Sequence, residues 1–223
     1  MASLGWLVDR LPAVARSRAQ VLTYRANWQR DGDGVLASQR AGDDRPLWVV
    51  LGDSAAQAVG ASSYDSGYVG RLRTHLAAAS GQEWKVLNLS VSGARTTDVL
   101  AQLERWQHFG LECDLLSAVV GANDLTHTPV PQHIADVRAL FARLPPAAVV
   151  ATLPRGWKPA KAVAVDAVIR AEGAARHLRI AELANWTGPP YRGMYADGFH
   201  PNDRGYARWA GALAAALELP PCR

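Results

Sequence analysis

Short runs rich in Val, Leu and Ile alternate along this chain with longer stretches in which apolar residues recur at helical spacing. Runs at 47–52, 85–91, 115–120, 148–153 and 178–183 predict five strands. The first, third and fourth are apolar almost throughout. Successive strand residues point to opposite faces, so unbroken hydrophobicity predicts burial on both. Between the runs, Ala-, Leu- and Arg-rich segments predict helices near 67–79, 96–107, 132–143, 160–176 and 203–217. Strands covered on both faces and separated by helices predict an α/β fold, an open parallel sheet between two helical layers.

The first 45 residues precede this alternation. Leu4, Leu7, Leu11 and Val14 share one helical face, and Arg10, Arg16, Arg18, Arg25 and Arg30 supply charge. A basic amphipathic helix of this kind can lie on a membrane surface. The expectation adopted is plainer: residues 1–45 form a helical extension packed on the edge of a domain spanning 46–223. Asp31-Gly-Asp-Gly34 reads as a break or short linker after that helix.

Composition narrows the picture. At 223 residues, 49% of them hydrophobic, the chain suffices for one well-buried domain. Its net charge of +4 is carried mostly by Arg and is spread along the chain, with Lys only at 85, 158 and 161. A nucleic-acid footprint would be clustered, so no nucleic-acid partner is expected. Cys113 and Cys222 show neither metal-ligand nor disulfide-framework spacing; reduced thiols in a cytoplasmic setting fit them. No signal peptide is recognisable, and no run of eighteen apolar residues provides a membrane span.

In an open parallel sheet, ligands collect beyond the carboxyl ends of the strands. Four polar clusters fall there: Gly52-Asp53-Ser54, Ser92-Gly93-Ala94, Gly121-Ala122-Asn123-Asp124, and Asp197-Gly-Phe-His200 near the C-terminus. Ser54 offers a hydroxyl, which needs a base to become a nucleophile. His200 is that base, because imidazole changes charge near neutral pH. Asp197, three residues earlier, can hold the other ring nitrogen. Pro201 disfavours helix at His200, and Asn202 or Asp203 can cap the helix that follows. The backbone N–H groups of Ser54 and Gly93 and the side-chain amide of Asn123 are candidate oxyanion donors. Glycine at 93 suits a close backbone approach.

These four blocks, in this order, resemble the SGNH hydrolases, also called the GDSL esterase/lipase family. The resemblance covers about residues 47–217 and implies a flavodoxin-like three-layer α/β/α sandwich with a five-stranded parallel sheet. It implies Ser54 as nucleophile, His200 as base, Asp197 as orienting carboxylate, and an oxyanion hole of Ser54, Gly93 and Asn123. No metal and no cofactor are implied. Ala55 stands where the family's name expects Leu, at a position that varies widely. The G-x-S-x-G elbow of the other large serine-hydrolase class is absent.

The expected function is therefore a serine esterase acting on small acyl esters through an acyl-enzyme. Thioesters and carbohydrate acyl esters fall within its chemical range, as does acyl transfer when an alcohol outcompetes water. The alternative is a non-catalytic lipid- or glycan-binding protein that keeps the fold. Trp157, Tyr191, Met194 and Phe199 are expected to border the acyl site, with Asp53 bracing the loop. His75, His108, His133 and His177 read as surface or packing residues, and His127 as a solvated loop residue. Oligomeric state is not readable from the sequence.

Overall fold

β1 (Leu47–Gly52) lies inside a five-stranded sheet whose other members are β2 (Lys85–Asn88), β3 (Leu115–Val119), β4 (Val149–Ala151) and β5 (Arg179–Ala181). The structure is a computed structural model describing residues 12–156, 158–189 and 191–220. The strand order is β2-β1-β3-β4-β5 with every pairing parallel, as the hydrophobic runs predict. All six residues of β1 are buried, whereas edge strand β5 is buried only at Ala181. β2 is shorter than the 85–91 run, yet its pairing with β1 continues through Leu89 N–H to Val50 O and Val91 N–H to Gly52 O.

Alternation along β1 divides the core between the faces of the sheet. Trp48 and Val50 pack under α1 (Pro12–Arg40), α2 (Tyr68–Ser80) and α8 (Asp203–Ala216). Leu47, Val49 and Leu51 pack under α3 (Asp98–Phe109), α5 (Val130–Phe141) and α6 (Pro159–Ala175). Two short helices, α4 (Asp124–His127) and α7 (Leu183–Trp186), complete the chain. No described helix is long and apolar enough to cross a membrane.

α1 departs from one expectation. It runs unbroken through Asp31–Gly34, where a break is predicted. Two glycines inside a helix cost about 1 kcal/mol each. Burial of Tyr24 and Trp28 outweighs this, since a large apolar side chain contributes about 1.5–3 kcal/mol. Gly32 is itself buried, and a Cβ there would lie 3.4 Å from Leu87 of β2. Tyr24 and Trp28 join one core cluster, while Val35 and Leu36 pack on the other. α1 thus wraps the outer edge of β2, which would otherwise offer unpaired backbone groups. Of the proposed apolar face, Leu4, Leu7 and Leu11 lie outside the described residues.

Candidate active site

β1 and β3 are neighbours, but the connections leave them in opposite directions across the sheet. The crevice beyond their carboxyl ends is thus the topological switch point. β1 ends at Gly52, pinned by Gln102 of α3: its N–H donates to Gln102 Oε1 at 2.8 Å, and its carbonyl accepts from Nε2 at 2.9 Å. A side chain at 52 would drive a Cβ to 2.6 Å from Val119 O, so β3 leaves room only for glycine. The chain then enters a succession of turns rather than a helix. Ala58 sits at a φ of +68°, which a helix does not accommodate. Ser54 is 5% exposed, at the start of these turns.

The loop before α8 brings a base to Ser54. Asn202 caps α8, its side chain accepting from the N–H groups of Arg204 and Gly205. Ala196 N–H bonds His200 O at 2.8 Å, closing a tight loop around Gly198, whose φ is +86°. Within it, Asp197 uses its two oxygens differently. Oδ1 accepts the backbone N–H groups of Phe199 and His200 at 3.0 and 2.8 Å, while Oδ2 lies 2.7 Å from His200 Nδ1. His200 Nε2 lies 3.1 Å from Ser54 Oγ. Ser54, His200 and Asp197 form one continuous chain across 146 residues of sequence.

Burial alone would raise the proton affinity of Asp197. Hydrogen bonds from His200 and from the Ser17 hydroxyl of α1 more than offset it, holding the carboxyl well below its ordinary range. Asp197 is therefore ionised and accepts from Nδ1–H; in the neutral imidazole that tautomer leaves Nε2 free to accept from Ser54. Asp53 is the electrostatic opposite. Burial pushes its carboxyl up to about 6 against the pull of the Ala55 N–H and of His200. Its Oδ1 accepts the Ala55 N–H at 2.9 Å, bracing the turn beside Ser54.

Asn123 follows β3 at the start of α4. Its Nδ2 donates to Ala94 O at 2.9 Å, tying the loop after β3 to the loop after β2, and reaches Asp53 Oδ2 at a long 3.5 Å. Gly93 has a φ of +83°, but a Cβ there would meet no atom within 4 Å. The backbone turn, not crowding within the protein, demands glycine. Neither the Ser54 nor the Gly93 N–H meets an acceptor among the described residues. Asp124 is fully buried and accepts from Thr96 and Thr128, fixing the same loop. His133 is a packing residue behind it, with burial lowering its proton affinity.

A cavity of about 30 Å³ opens at Ser54 and His200, walled by Ala122, Leu125, Pro154, Tyr195, Phe199 and Trp209. Of the residues expected to border substrate, Phe199 does so, its ring edge-on to His200 at 5.1 Å. Tyr191 does not: it is 39% exposed, and its hydroxyl donates to Arg155 O. Met194 is also absent from the wall; its carbonyl accepts the Asn202 N–H. Trp157 lies outside the described residues. Tyr195, next to Met194, and Trp209 on α8 were missed. The loop around Tyr195 carries no periodicity to say which ring turns inward, and Trp209 reads as an ordinary core position. Among the described residues, no cluster of three His, Cys, Asp or Glu could hold a metal ion.

Solved structures share the architecture. That of TesA superposes with a TM-score of 0.65 at 23% identity, covering 77% of this chain and 98% of that one. An acetylxylan esterase, Axe2 from Geobacillus stearothermophilus, gives 0.64 at 16% identity over 80% and 96%. The lipase/acylhydrolase from Enterococcus faecalis gives 0.61 at 21% over 80% and 99%. No curated protein matches the sequence. The sequence model of the GDSL-like lipase/acylhydrolase family matches residues 50–208, which include all four polar blocks. The chain belongs to the GDSL-like lipase/acylhydrolase family and is a carboxylic ester hydrolase.

Proposed function

We propose that this enzyme cleaves esters of short acyl groups through an acyl-enzyme on Ser54. The observation that carries the reading is His200, which contacts Ser54 Oγ at 3.1 Å and Asp197 Oδ2 at 2.7 Å through its two ring nitrogens. Nε2 takes the Ser54 proton as Oγ forms a bond to the ester carbonyl carbon. Asp197 holds Nδ1–H and stabilises the imidazolium that results. The tetrahedral oxyanion accepts from the N–H groups of Ser54 and Gly93 and from the second Nδ2 hydrogen of Asn123. That last hydrogen has only the long contact with Asp53 to give up. As the carbonyl re-forms, the C–O bond to the alcohol breaks and the alcohol leaves with the proton from His200. Water then repeats the sequence, releasing the acid and restoring Ser54.

The size of the cavity supports short acyl groups. Thirty cubic ångströms holds about two waters, or a group the size of a methyl or ethyl. An acetyl group fits it; a long acyl chain would have to leave along the open rim. A cytoplasmic enzyme acting on a small acyl ester, with no nucleic-acid partner, is part of this reading; the free Cys113 fits a reducing compartment.

A fluorophosphonate probe tests the nucleophile. The parent protein is expected to label stoichiometrically and Ser54→Ala not at all, with loss of p-nitrophenyl acetate hydrolysis. Equal labelling of both proteins would place the nucleophile elsewhere. No labelling of a well-folded parent would favour the binding-protein alternative.

A further inference from the structure

The family match begins at residue 50, so α1 belongs to none of the blocks that define the site. Its buried side nevertheless faces the back of the catalytic loops. Gln20 makes a two-point clamp there: its Oε1 accepts the Gly60 N–H at 2.8 Å, and its Nε2 donates to Ala61 O at 2.8 Å. One helical turn on, Tyr24 OH reaches the same Ala61 carbonyl at 3.1 Å, and Trp28 Nε1 donates to Gln57 O at 3.4 Å. The clamped segment is the run of turns that starts at Ser54.

That segment bears directly on the base. Gly60 has a φ of +97°, and a Cβ there would come within 2.4 Å of Pro201 O and 2.9 Å of His200 Cβ. The backbone held by Gln20 is thus the surface against which His200 rests. One turn earlier on α1, Ser17 is 4% exposed and lines one groove with Ala196, the neighbour of Asp197, whose carboxyl it helps to keep ionised. Ser17 thus packs against the loop that carries the carboxylate orienting His200, as the Gln20 clamp does against the loop behind the imidazole.

We infer that α1 is a working part of the catalytic apparatus, with Gln20 and Ser17 as positioning residues that hold His200 and Asp197 from behind. The inference rests on the triad reading above. Neither residue touches substrate. Each limits how far the imidazole and its carboxylate stray from the geometry that reaches Ser54, and so acts on turnover rather than on binding.

The test uses the full chain, p-nitrophenyl acetate, and kcat expressed per Ser54 titrated with fluorophosphonate. Ser17→Ala and Gln20→Ala are each expected to lower kcat about three- to tenfold with KM unchanged, the worth of one or two hydrogen bonds. Ser17→Thr, which keeps the hydroxyl and has an open groove beside it for the extra methyl, is expected to restore the parental kcat. Parental kcat per titrated site in both variants, even with a lowered Tm, would reduce α1 to a structural brace and overturn the inference. So would a Ser17→Thr protein as slow as Ser17→Ala. Activity persisting in Ser54→Ala would sink the triad reading itself. Loss there beside parental Ser17→Ala and Gln20→Ala would sink the inference alone.

Discussion

The two sides of the cleft are built differently. On the side of the proposed triad, Ser54, His200, Asp197 and Asn123 are held by directed hydrogen bonds: Ser54 to His200, His200 to Asp197, Asp197 to the backbone before α8, and Asn123 to the loop after β2. On the other side, the cavity proposed for the acyl group is walled by Leu125, Pro154, Tyr195, Phe199 and Trp209, a mostly apolar set that would select by shape. Hydrogen-bonded geometry fails steeply when one member goes, because the polar partner left behind is unsatisfied. An apolar wall fails gradually, about a methylene at a time. The chemistry of the site should therefore be brittle and its selectivity pliable.

The sharpest break is Asp197→Asn. It keeps the size of the side chain but offers an amide where His200 Nδ1–H needs an acceptor, favouring the wrong tautomer. A fall in kcat on the order of 10⁴-fold is expected, and a fall below tenfold would remove Asp197 from the mechanism. Asn123→Ala comes next. Loss of one oxyanion donor costs roughly 2.7–4 kcal/mol of barrier, or about 10²–10³ in kcat. Because Asn123 also ties the loops after β2 and β3, its far-ultraviolet spectrum and Tm should be compared with the parent; normal turnover would show that the oxyanion lies elsewhere.

The pliable side is probed by Tyr195→Ala, which widens the cavity away from the triad. The ratio of kcat/KM for p-nitrophenyl butyrate over acetate should rise about tenfold. An unchanged ratio would mean that the acyl group does not occupy this cavity. The smallest effect belongs to Asp53, whose folded-state pKa of about 6 exceeds its ordinary value of 3.8. The unfolded chain releases this proton first, so the group withdraws stability as pH rises from about 4 to about 6 and no further above that. Asp53→Asn should flatten that part of the Tm profile, and a parental slope in the variant would assign it to another group.

Much of the site could be read without coordinates, for a definable reason. A parallel sheet places strand ends on one rim, so residues following 52, 119 and their like are candidates once the hydrophobic runs are identified. The same logic put the mount of His200 just before a helix, and Asn202 caps it as expected. Asp31–Gly34 misled because glycine's intrinsic helix cost was weighed without the packing of Tyr24 and Trp28 that overrides it. Tyr191 and Met194 misled because a loop's turn geometry, not its composition, chooses which rings point inward.

By itself, then, the sequence determined the strands, their burial on two faces, and the order of the four polar blocks. These follow from periodicity and local backbone preference, which act over a few residues. Only the tertiary structure decided that Ser54 meets His200 across 146 positions, that Tyr195 and Trp209 wall the cavity, and that Gln20 clamps the turns behind His200. Such contacts depend on how whole elements pack. A glutamine on an outlying helix carries no local signal of the backbone it will clamp.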